Sequence, residues 1–230
     1  MLNNKTKYSF LFFLTVIIYT VKGQQIYLET GAESAYFKDY LNNLGENSLD
    51  LNYSKSQEFF VEGGFRFNLY DNKIKLNLGS SYNTYQINTG FYASPGTSSV
   101  PLTYNLTYVS VKTGLIFSII NEPKFKVQVH THFSHDWLTQ GTSKYRNVVN
   151  DLYQQGTFDK TLIRFHKGLS VEYNVSDEIA TYISYNIADS YREENRDSSV
   201  GESYVFHSNA ISFGILFNIL NRGKPCYGGF

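Results

Sequence analysis

The segment FFVEGGFRFNL, residues 59–69, alternates apolar side chains with polar or small ones. The polar and small positions include Glu62, Gly64, Arg66 and Asn68, while Phe, Val or Leu occupies most positions between them. A period of two places alternate side chains on opposite faces of a β-strand. The same period returns in four later segments: residues 74–78, 109–119, 125–133 and 211–219. An apolar face opposite a polar face on each strand is typical of a transmembrane β-barrel, which meets lipid outside and encloses a polar interior.

Eight strands can be placed in this way, and their connections alternate between short and long. The predicted strands are residues 25–38, 57–70, 73–87, 103–119, 124–137, 159–174, 178–190 and 204–220. Three of the connections are short turns rich in Asp, Asn or Pro, and the other four are long: residues 39–56, 88–102, 138–158 and 191–203. All four prolines fall outside the predicted strands: Pro95, Pro101, Pro123 and Pro225. The sequence therefore predicts an all-β fold, an eight-stranded antiparallel up-and-down barrel with long loops at one end.

Two soluble architectures, a lipocalin-type barrel and a β-sandwich, also alternate apolar and polar residues along their strands. Their polar faces meet water, whereas the polar faces of this chain carry many small residues: Gly64, Gly79, Ser81, Gly114, Gly168, Ser170, Ser184, Ser212 and Gly214. Small side chains suit the crowded interior of a narrow barrel better than an exposed face. The membrane barrel is therefore favoured over both soluble alternatives.

The first 23 residues have the features of a cleaved signal peptide. Lys5 and Lys7 precede an apolar run, 10–21, that is shorter than the roughly 20 residues a membrane-spanning helix needs. Cleavage is predicted between Gly23 and Gln24, after the compact sequence VKG. An uncleaved anchor is the alternative. Three regions are predicted: a signal peptide at 1–23, an outer-membrane β-barrel at 24–220 and a short periplasmic tail at 221–230.

Charge and cysteine content exclude several classes of function. Cleavage takes three lysines from the 20 basic residues, which leaves 17 against 20 acidic residues. The sequence has no basic stripe that would favour nucleic-acid binding. The single cysteine, Cys226, cannot form an internal disulfide or a cysteine-based metal site. No phosphate-binding loop or other cofactor motif is present, so no cofactor is predicted.

Two segments carry a family resemblance: YVSVKTGL at 108–115 and ISFGILF at 211–217. With the signal peptide and the turn asymmetry, they resemble the small eight-stranded outer-membrane barrels of Gram-negative bacteria, which include the barrel domain of outer membrane protein A, OmpX and the opacity-type adhesins. The resemblance covers 24–220. It implies a cell outer-membrane location with extracellular long loops and periplasmic mature termini. Outer-membrane lipid, lipopolysaccharide and the barrel-assembly machinery are the implied partners. Such barrels usually end with an aromatic residue at the end of the last strand, whereas this chain extends to Phe230.

If the apolar face points outward, a set of charged side chains points into the barrel: Glu62, Arg66, Lys75, Lys112, Arg164 and Glu172. Glu29 and Glu33 are expected to join them, which gives four acids and four bases. Because an eight-stranded barrel is just wide enough to be filled by side chains, these charges are predicted to form a plug of salt bridges. A gated ion path through the same charges is the alternative interpretation.

Two histidine patterns suggest chemistry but lack a full set of partners. His130 and His132 share the inward face and His135 lies on the other. Asp136 faces inward but is about 13 Å from His132 at roughly 3.3 Å per residue, so a metal ion would lack a third ligand. His207 and Ser208 partly resemble the pair that lipid A deacylases carry as His-x-Ser on one strand face. Here the two residues are adjacent and must point to opposite faces, and no acid follows in the strand to orient the histidine. No metal site and no catalytic residue are predicted, and the protein is predicted not to be an enzyme.

The long connections are the best candidates for a functional surface. Tyrosines occur in them among Asn, Ser and Gly, a composition that suits adaptable recognition: Tyr40, Tyr53, Tyr92, Tyr145, Tyr153 and Tyr191. A girdle at the membrane interface is the alternative role for these tyrosines. We expect an outer-membrane barrel with a structural or adhesin-like role at the cell surface and an extracellular ligand bound through the loops. A narrow, porin-like channel and a lipid A-modifying enzyme are the alternatives.

Overall fold

The computed structural model describes residues 24–41, 49–50, 56–91, 99–154, 158, 160–191 and 203–219. Within these residues the chain forms ten strands: β1 (Gln24–Leu41), β2 (Leu49–Asp50), β3 (Gln57–Tyr70), β4 (Ile74–Phe91), β5 (Val100–Asn121), β6 (Phe125–Tyr145), β7 (Val148–Asp151), β8 (Thr161–Asn174), β9 (Ile179–Ser190) and β10 (Ser203–Asn218). No helix in this part of the chain is long and apolar enough to cross a membrane. The predicted signal peptide and the predicted tail at 221–230 lie outside the described residues.

Eight of these strands close into an antiparallel ring. β1 pairs with β3, the ring continues through β4, β5, β6, β8, β9 and β10, and β10 pairs with β1 again. The two short strands extend the wall at the end that carries the long connections. There β2 pairs with the end of β4, and β7 pairs with the end of β6. The predicted eight-stranded up-and-down barrel is confirmed.

The register of the ring sets the tilt of its strands. One path of directly paired residues runs around the barrel and returns to β1: Gln25, Arg66, Asn77, Gly114, His132, His166, Ala188, Ser208 and Ala35. Because the path starts at residue 25 and returns at residue 35, one circuit shifts the register by ten residues. Ten residues of about 3.3 Å, over eight strands about 4.8 Å apart, correspond to a tilt of roughly 40°. Each residue along a strand then adds about 2.5 Å of height.

The outer wall carries an apolar belt that crosses all eight strands of the ring. One exposed residue from each strand marks it: Leu28, Val61, Leu78, Val111, Phe133, Leu169, Ile183 and Phe213. The neighbours of these residues along each strand point into the barrel, as Glu62 and Ser110 do, and both are buried. This is the arrangement of a barrel whose outer surface is covered by lipid.

Toward the long connections the polarity of the two faces is reversed. On β4, Tyr82 is exposed on the outer wall, but Thr84 and Gln86 replace apolar residues there, while Tyr85 and Ile87 are buried inside. β5 reverses at the same level, and on β6 the outward residues there are the polar Gln140, Thr142 and Lys144. We call this upper wall the extension, and it comprises residues 84–91 of β4, 100–107 of β5, 139–145 of β6 and β7.

The strands are longer than predicted because the extension replaces parts of two predicted loops. β5 begins at Val100 and β6 ends at Tyr145, although 88–102 and 138–158 were predicted to be loops. The outward face of the extension is rich in Thr, Asn and Gln, a composition that is common in loops. The segment is recognised as strand only when the inward residues that alternate with these polar ones are considered too.

The prediction that every proline lies outside the strands is wrong for Pro101. This residue belongs to β5 and lies opposite Gly90 of β4. It is the second residue of the strand, near the end of the ladder, where the loss of one N–H donor is tolerated better than in the interior of a sheet.

Candidate functional site

The lumen inside the belt is filled by charged and polar side chains in three layers. The layer nearest the short turns is centred on Glu172, which is fully buried. Its carboxylate accepts hydrogen bonds from Lys126 at 2.6 Å and from Gln128 at 3.1 Å, and the Lys75 ammonium lies 3.6 Å away. Two lysines therefore share one carboxylate in this layer.

The middle layer combines carboxylates with tyrosine hydroxyls. Glu62 forms an ion pair with Lys112 and accepts a hydrogen bond from the Tyr27 hydroxyl at 2.7 Å. Glu29 accepts a hydrogen bond from the Tyr182 hydroxyl at 2.6 Å. Each carboxylate is thus satisfied by donors from other strands, which ties the wall together across the lumen.

Arg66 lies between two aromatic rings below this layer. Its guanidinium carbon is 5.0 Å from the ring centroid of Tyr27 and 4.3 Å from that of Tyr182. Glycines make room for both rings, because a Cβ at Gly79 would overlap the Tyr27 hydroxyl and a Cβ at Gly214 would overlap the Tyr182 ring. The small inward residues therefore have a steric role in a narrow barrel.

The upper charged layer is centred on Arg164. Its Nε donates to the Asp136 carboxylate, and Glu33 lies 3.7 Å from its Nη1. The guanidinium carbon also lies 5.5 Å from the Tyr85 ring centroid and 5.6 Å from that of Phe206. Arg164 and Asp136 are both almost completely buried, so this ion pair is shielded from water.

Above Arg164 an apolar plug fills the extension. It includes these buried residues: Phe37, Tyr40, Tyr85, Ile87, Tyr104, Leu106, Tyr108, Leu138, Leu152, Phe158, Leu162, Tyr204 and Phe206. Phe37 packs edge-on against Tyr104 at 5.1 Å and against Tyr204 at 4.8 Å between centroids. Such edge-to-face contacts stabilise aromatic pairs beyond the burial of their area.

All eight charged residues predicted to face the interior do point into the lumen: Glu29, Glu33, Glu62, Arg66, Lys75, Lys112, Arg164 and Glu172. The predicted set of interior charges did not include Lys126 or Asp136, although Asp136 was expected to point inward. The signal was present, because both share the even-numbered, inward face of β6 with His130 and His132.

One small cavity lies within the packed section, and a larger one bounds it at the short-turn end. One of about 20 Å³ is lined by residues that include Glu33, Lys112 and Arg164, and it has room for about one water molecule. The other is a vestibule of about 700 Å³ at the end with the short turns, where Lys75 and Lys126 contribute to its lining. Packed side chains fill the lumen between the vestibule and the apolar plug.

Three histidines meet inside the barrel, and one of them was not singled out from the sequence. His132 lies directly opposite His166 in the β6–β8 ladder, and the rings of His130 and His132 are 5.1 Å apart. His130 pairs with Asn186 at 2.5 Å, and His166 pairs with Ser134 at 2.8 Å. Among the described residues, no group of three His, Cys, Asp or Glu side chains could hold a metal ion.

His207 and Ser208 lie on opposite faces of β10. Ser208 is buried in the lumen, 3.4 Å from Nη1 of Arg164. His207 faces outward, and its Nδ1 lies 2.6 Å from the Asp189 carboxylate on β9. An orienting acid was not expected, because none follows Ser208 within β10. The register of the sheet instead brings Asp189 of β9 to His207.

Solved structures share this architecture, although no protein-family model matches the chain and no curated protein is significantly similar in sequence. Neisserial surface protein A aligns with 85% of this chain and 97% of its own, at a TM-score of 0.50 and 11% identity. The outer membrane protease OmpT from Escherichia coli aligns with 87% of this chain and 98% of its own, at a TM-score of 0.50 and 8% identity. The chain has the fold of the outer-membrane β-barrels. At these identities the likeness extends to the fold alone.

In this outer-membrane barrel fold, the tyrosines proposed for the loops lie in different environments. Tyr40 is buried in the apolar plug, whereas Tyr153 and Tyr191 are exposed. Tyr145 and Tyr153 each lie beside a cation, with the Lys160 ammonium 4.9 Å from the ring centroid of Tyr153. Tyr53 and Tyr92 lie outside the described residues.

Proposed function

We propose that this chain is an outer-membrane barrel that acts at the cell surface, in a structural or adhesin-like role and without catalytic activity. The filled lumen carries the proposal. From Glu172 to Phe206, ion-paired charges, Arg66 between its two rings and packed aromatic side chains occupy the interior, which leaves no solute-sized pore among the described residues. A function must then be carried by the outer wall, the extension or the loops.

The outward face of the extension supports a surface role. Three rows of residues cross β4, β5 and β6 in register: Thr84–Thr107–Gln140, Gln86–Asn105–Thr142 and Asn88–Thr103–Lys144. Only Lys144 among these nine is charged. Amide and hydroxyl groups in aligned rows offer both donors and acceptors to a neutral ligand, such as a sugar chain or an extended peptide.

The proposed topology follows from the strand number. Eight strands return both ends of the barrel to the side of the short turns, which we assign to the periplasm, and this places the long connections outside the cell. Cleavage after Gly23 and insertion by the barrel-assembly machinery are part of the same proposal.

Adhesion and conductance measurements test this function together. The full chain is displayed on Gram-negative cells that lack adhesins, and binding is measured to a panel of matrix proteins and glycans. Replacing Gln86, Asn105 and Thr142 with alanine is expected to reduce binding. The matched control replaces Thr113 and Thr131, two exposed residues in the apolar belt, and is expected to bind as the wild type does.

The purified barrel in planar bilayers is expected to show no stable porin-scale current. A large ohmic current would contradict the filled lumen and make the protein a channel. A change in the mass of lipid A on expression would indicate a lipid A-modifying enzyme. Unaltered binding by the extension variant would show that the extension does not bind the ligand.

A further inference from the structure

The apolar belt is interrupted on one side by a cluster of polar side chains, which we call the wall patch: Lys167, Tyr185, Asp189, His207 and Asn209. All five belong to β8, β9 and β10 and lie on the outer face. The opposite wall carries mainly apolar residues at comparable height, such as Phe59 and Val61 on β3. The patch is therefore a local feature of one side of the barrel.

The register places the members of the wall patch side by side. His207 lies opposite Asp189, and in the row below, Asn209 and Lys167 both lie opposite Ile187. Tyr185 follows one step lower on β9, and its hydroxyl lies 3.4 Å from the Asn209 side-chain oxygen. The five side chains thus cover one continuous area of three neighbouring strands.

The wall patch extends well into the belt. On β8, Lys167 is six residues above Tyr173, an exposed residue near the short-turn edge of the belt. Six residues on a strand tilted by roughly 40° raise it by about 15 Å. Since the apolar band of such barrels is about 25 Å tall, Lys167 starts about 10 Å inside the upper edge. Its flexible stem can carry the ammonium upward toward the head groups.

The two charged residues of the patch, Lys167 and Asp189, are not paired with each other. Asp189 is paired with His207 at 2.6 Å and keeps 36% of its side chain exposed. Lys167 is exposed and has no ion-pair partner among the described residues. A lysine facing hydrocarbon is destabilising in a barrel wall, so its presence calls for an anion at this place in the membrane.

We propose that the wall patch binds the phosphorylated sugar head group of lipopolysaccharide. The Lys167 ammonium and the Asn209 amide donate to a phosphate, and the exposed part of the Asp189 carboxylate accepts from a sugar hydroxyl. Asp189 selects against a bare phosphate, which it would repel, and in favour of a head group that carries both phosphate and hydroxyl donors. The inference rests on the proposed topology, because this glycolipid occupies the leaflet that would surround the upper belt.

This binding site predicts that the effect of Lys167→Leu on thermal stability changes sign when lipopolysaccharide is present. Wild type and Lys167→Leu are reconstituted in vesicles of phosphatidylethanolamine and phosphatidylglycerol, with and without lipopolysaccharide, and unfolding by heat is followed by gel mobility. Without the glycolipid, the leucine variant is expected to be more stable than wild type, because a charge has been removed from the lipid face. With it, the order reverses. Lys124→Gln, which removes an exposed charge from the short turn before β6, is expected to behave as wild type in both.

Native mass spectrometry of barrels extracted from membranes measures binding directly. Glycolipid retention is expected to fall about fivefold in Lys167→Leu and in Asp189→Asn, as for the loss of a charge-assisted contact. Equal retention by wild type and both variants would overturn the inference. So would stronger retention of phosphatidylglycerol than of glycolipid, or efficient disulfide-linked dimers of Lys167→Cys, which would indicate a second copy at the patch.

A protease-cleavable tag inserted after Gly96 reports the topology in the same cells. If the tag is cleaved from outside the cell but the wall patch does not retain the glycolipid, the binding site alone is refuted. If the tag lies in the periplasm, the proposed function is refuted as well.

Discussion

Arg164→Ala is expected to lower the free energy of unfolding by about 4 kcal/mol. The substitution leaves Asp136 and Glu33, both buried, without their shared cation. Breaking a buried pair by removing one partner typically costs about 3–5 kcal/mol. The guanidinium also lies near the rings of Tyr85 and Phe206, and the loss of these contacts adds about 1 kcal/mol. Water admitted to the adjoining 20 Å³ cavity offsets part of this loss.

Urea unfolding in thin lipid vesicles measures this change. The chain has one tryptophan, Trp137, which follows Asp136 directly in β6, and its fluorescence reports the local structure. Arg164→Lys keeps the charge but loses the planar guanidinium, so its free energy of unfolding is expected to fall by about 1–2 kcal/mol. Lys144→Ala, at an exposed position, is expected to stay within about 0.5 kcal/mol of wild type.

The result that would refute this reasoning is a loss below about 1 kcal/mol for Arg164→Ala with a normal denaturant dependence. Asp136 and Glu33 would then be solvated in the variant, and the lumen would be a hydrated space. That outcome would also weaken the filled-lumen argument on which the proposed function depends.

Three further predictions concern the wall, the connections and the N-terminus. Phe213→Arg should cost about 2–4 kcal/mol in the same unfolding assay, because the charge faces hydrocarbon, whereas Val129→Arg, near the short-turn edge of the band, should cost about 0–1 kcal/mol. Insertion of a short epitope after Gly141 should abolish the heat-dependent gel shift of a folded barrel, since the Gly141 carbonyl accepts from Leu152 N–H at 2.9 Å within the extension. The same insertion after Gly96 should preserve the shift. Intact-mass analysis should place the mature N-terminus at Gln24, and retention of residues 1–23 would contradict cleavage.

The inward and outward faces of the strands could be predicted from sequence because lipid and lumen impose opposite polarities on alternate residues. Glu62 and Arg66 are assigned by parity alone, and the structure buries both. Lys126 and Asp136 obey the same parity and could have been found by extending it along all of β6. Asp136 was expected to face inward but was considered only as a metal ligand, and Lys126 was overlooked.

Contacts between strands could not be predicted in this way. Asp189 meets His207, and His132 meets His166, only because of the register between their strands. That register depends on a ten-residue shift around the whole ring, which no local segment encodes. The pairing partners of Arg164 likewise depend on the closed barrel.

The sequence does contain a further signal, which is a reversal in the phase of the alternation. Along β5, Val109 and Val111 put apolar residues at odd positions, whereas Tyr104, Leu106 and Tyr108 put them at even positions. The residues at odd positions face lipid, and those at even positions fill the apolar plug. Where the phase changes, the surroundings of the outer wall change from hydrocarbon to water. The reversal therefore marks the upper edge of the membrane on each strand where it occurs.

The reversal predicts the depth of Trp137, which lies in register with Tyr82 and Val109 just below the change of phase. Its fluorescence in vesicles should be quenched more by lipids brominated near the head group than by lipids brominated near the chain ends, as expected for an interfacial aromatic residue. Tryptophan placed by Val129→Trp in a Trp137→Phe background lies eight residues lower on β6, about 20 Å down at roughly 2.5 Å per residue. Within a band of about 25 Å, that position lies near the opposite edge, so it should also be quenched by bromine near the head group, but only when the brominated lipid is in the opposite leaflet. Strong quenching of Trp137 by bromine at the chain ends would place it at the bilayer centre, and the phase reversal would then have a cause other than the membrane edge.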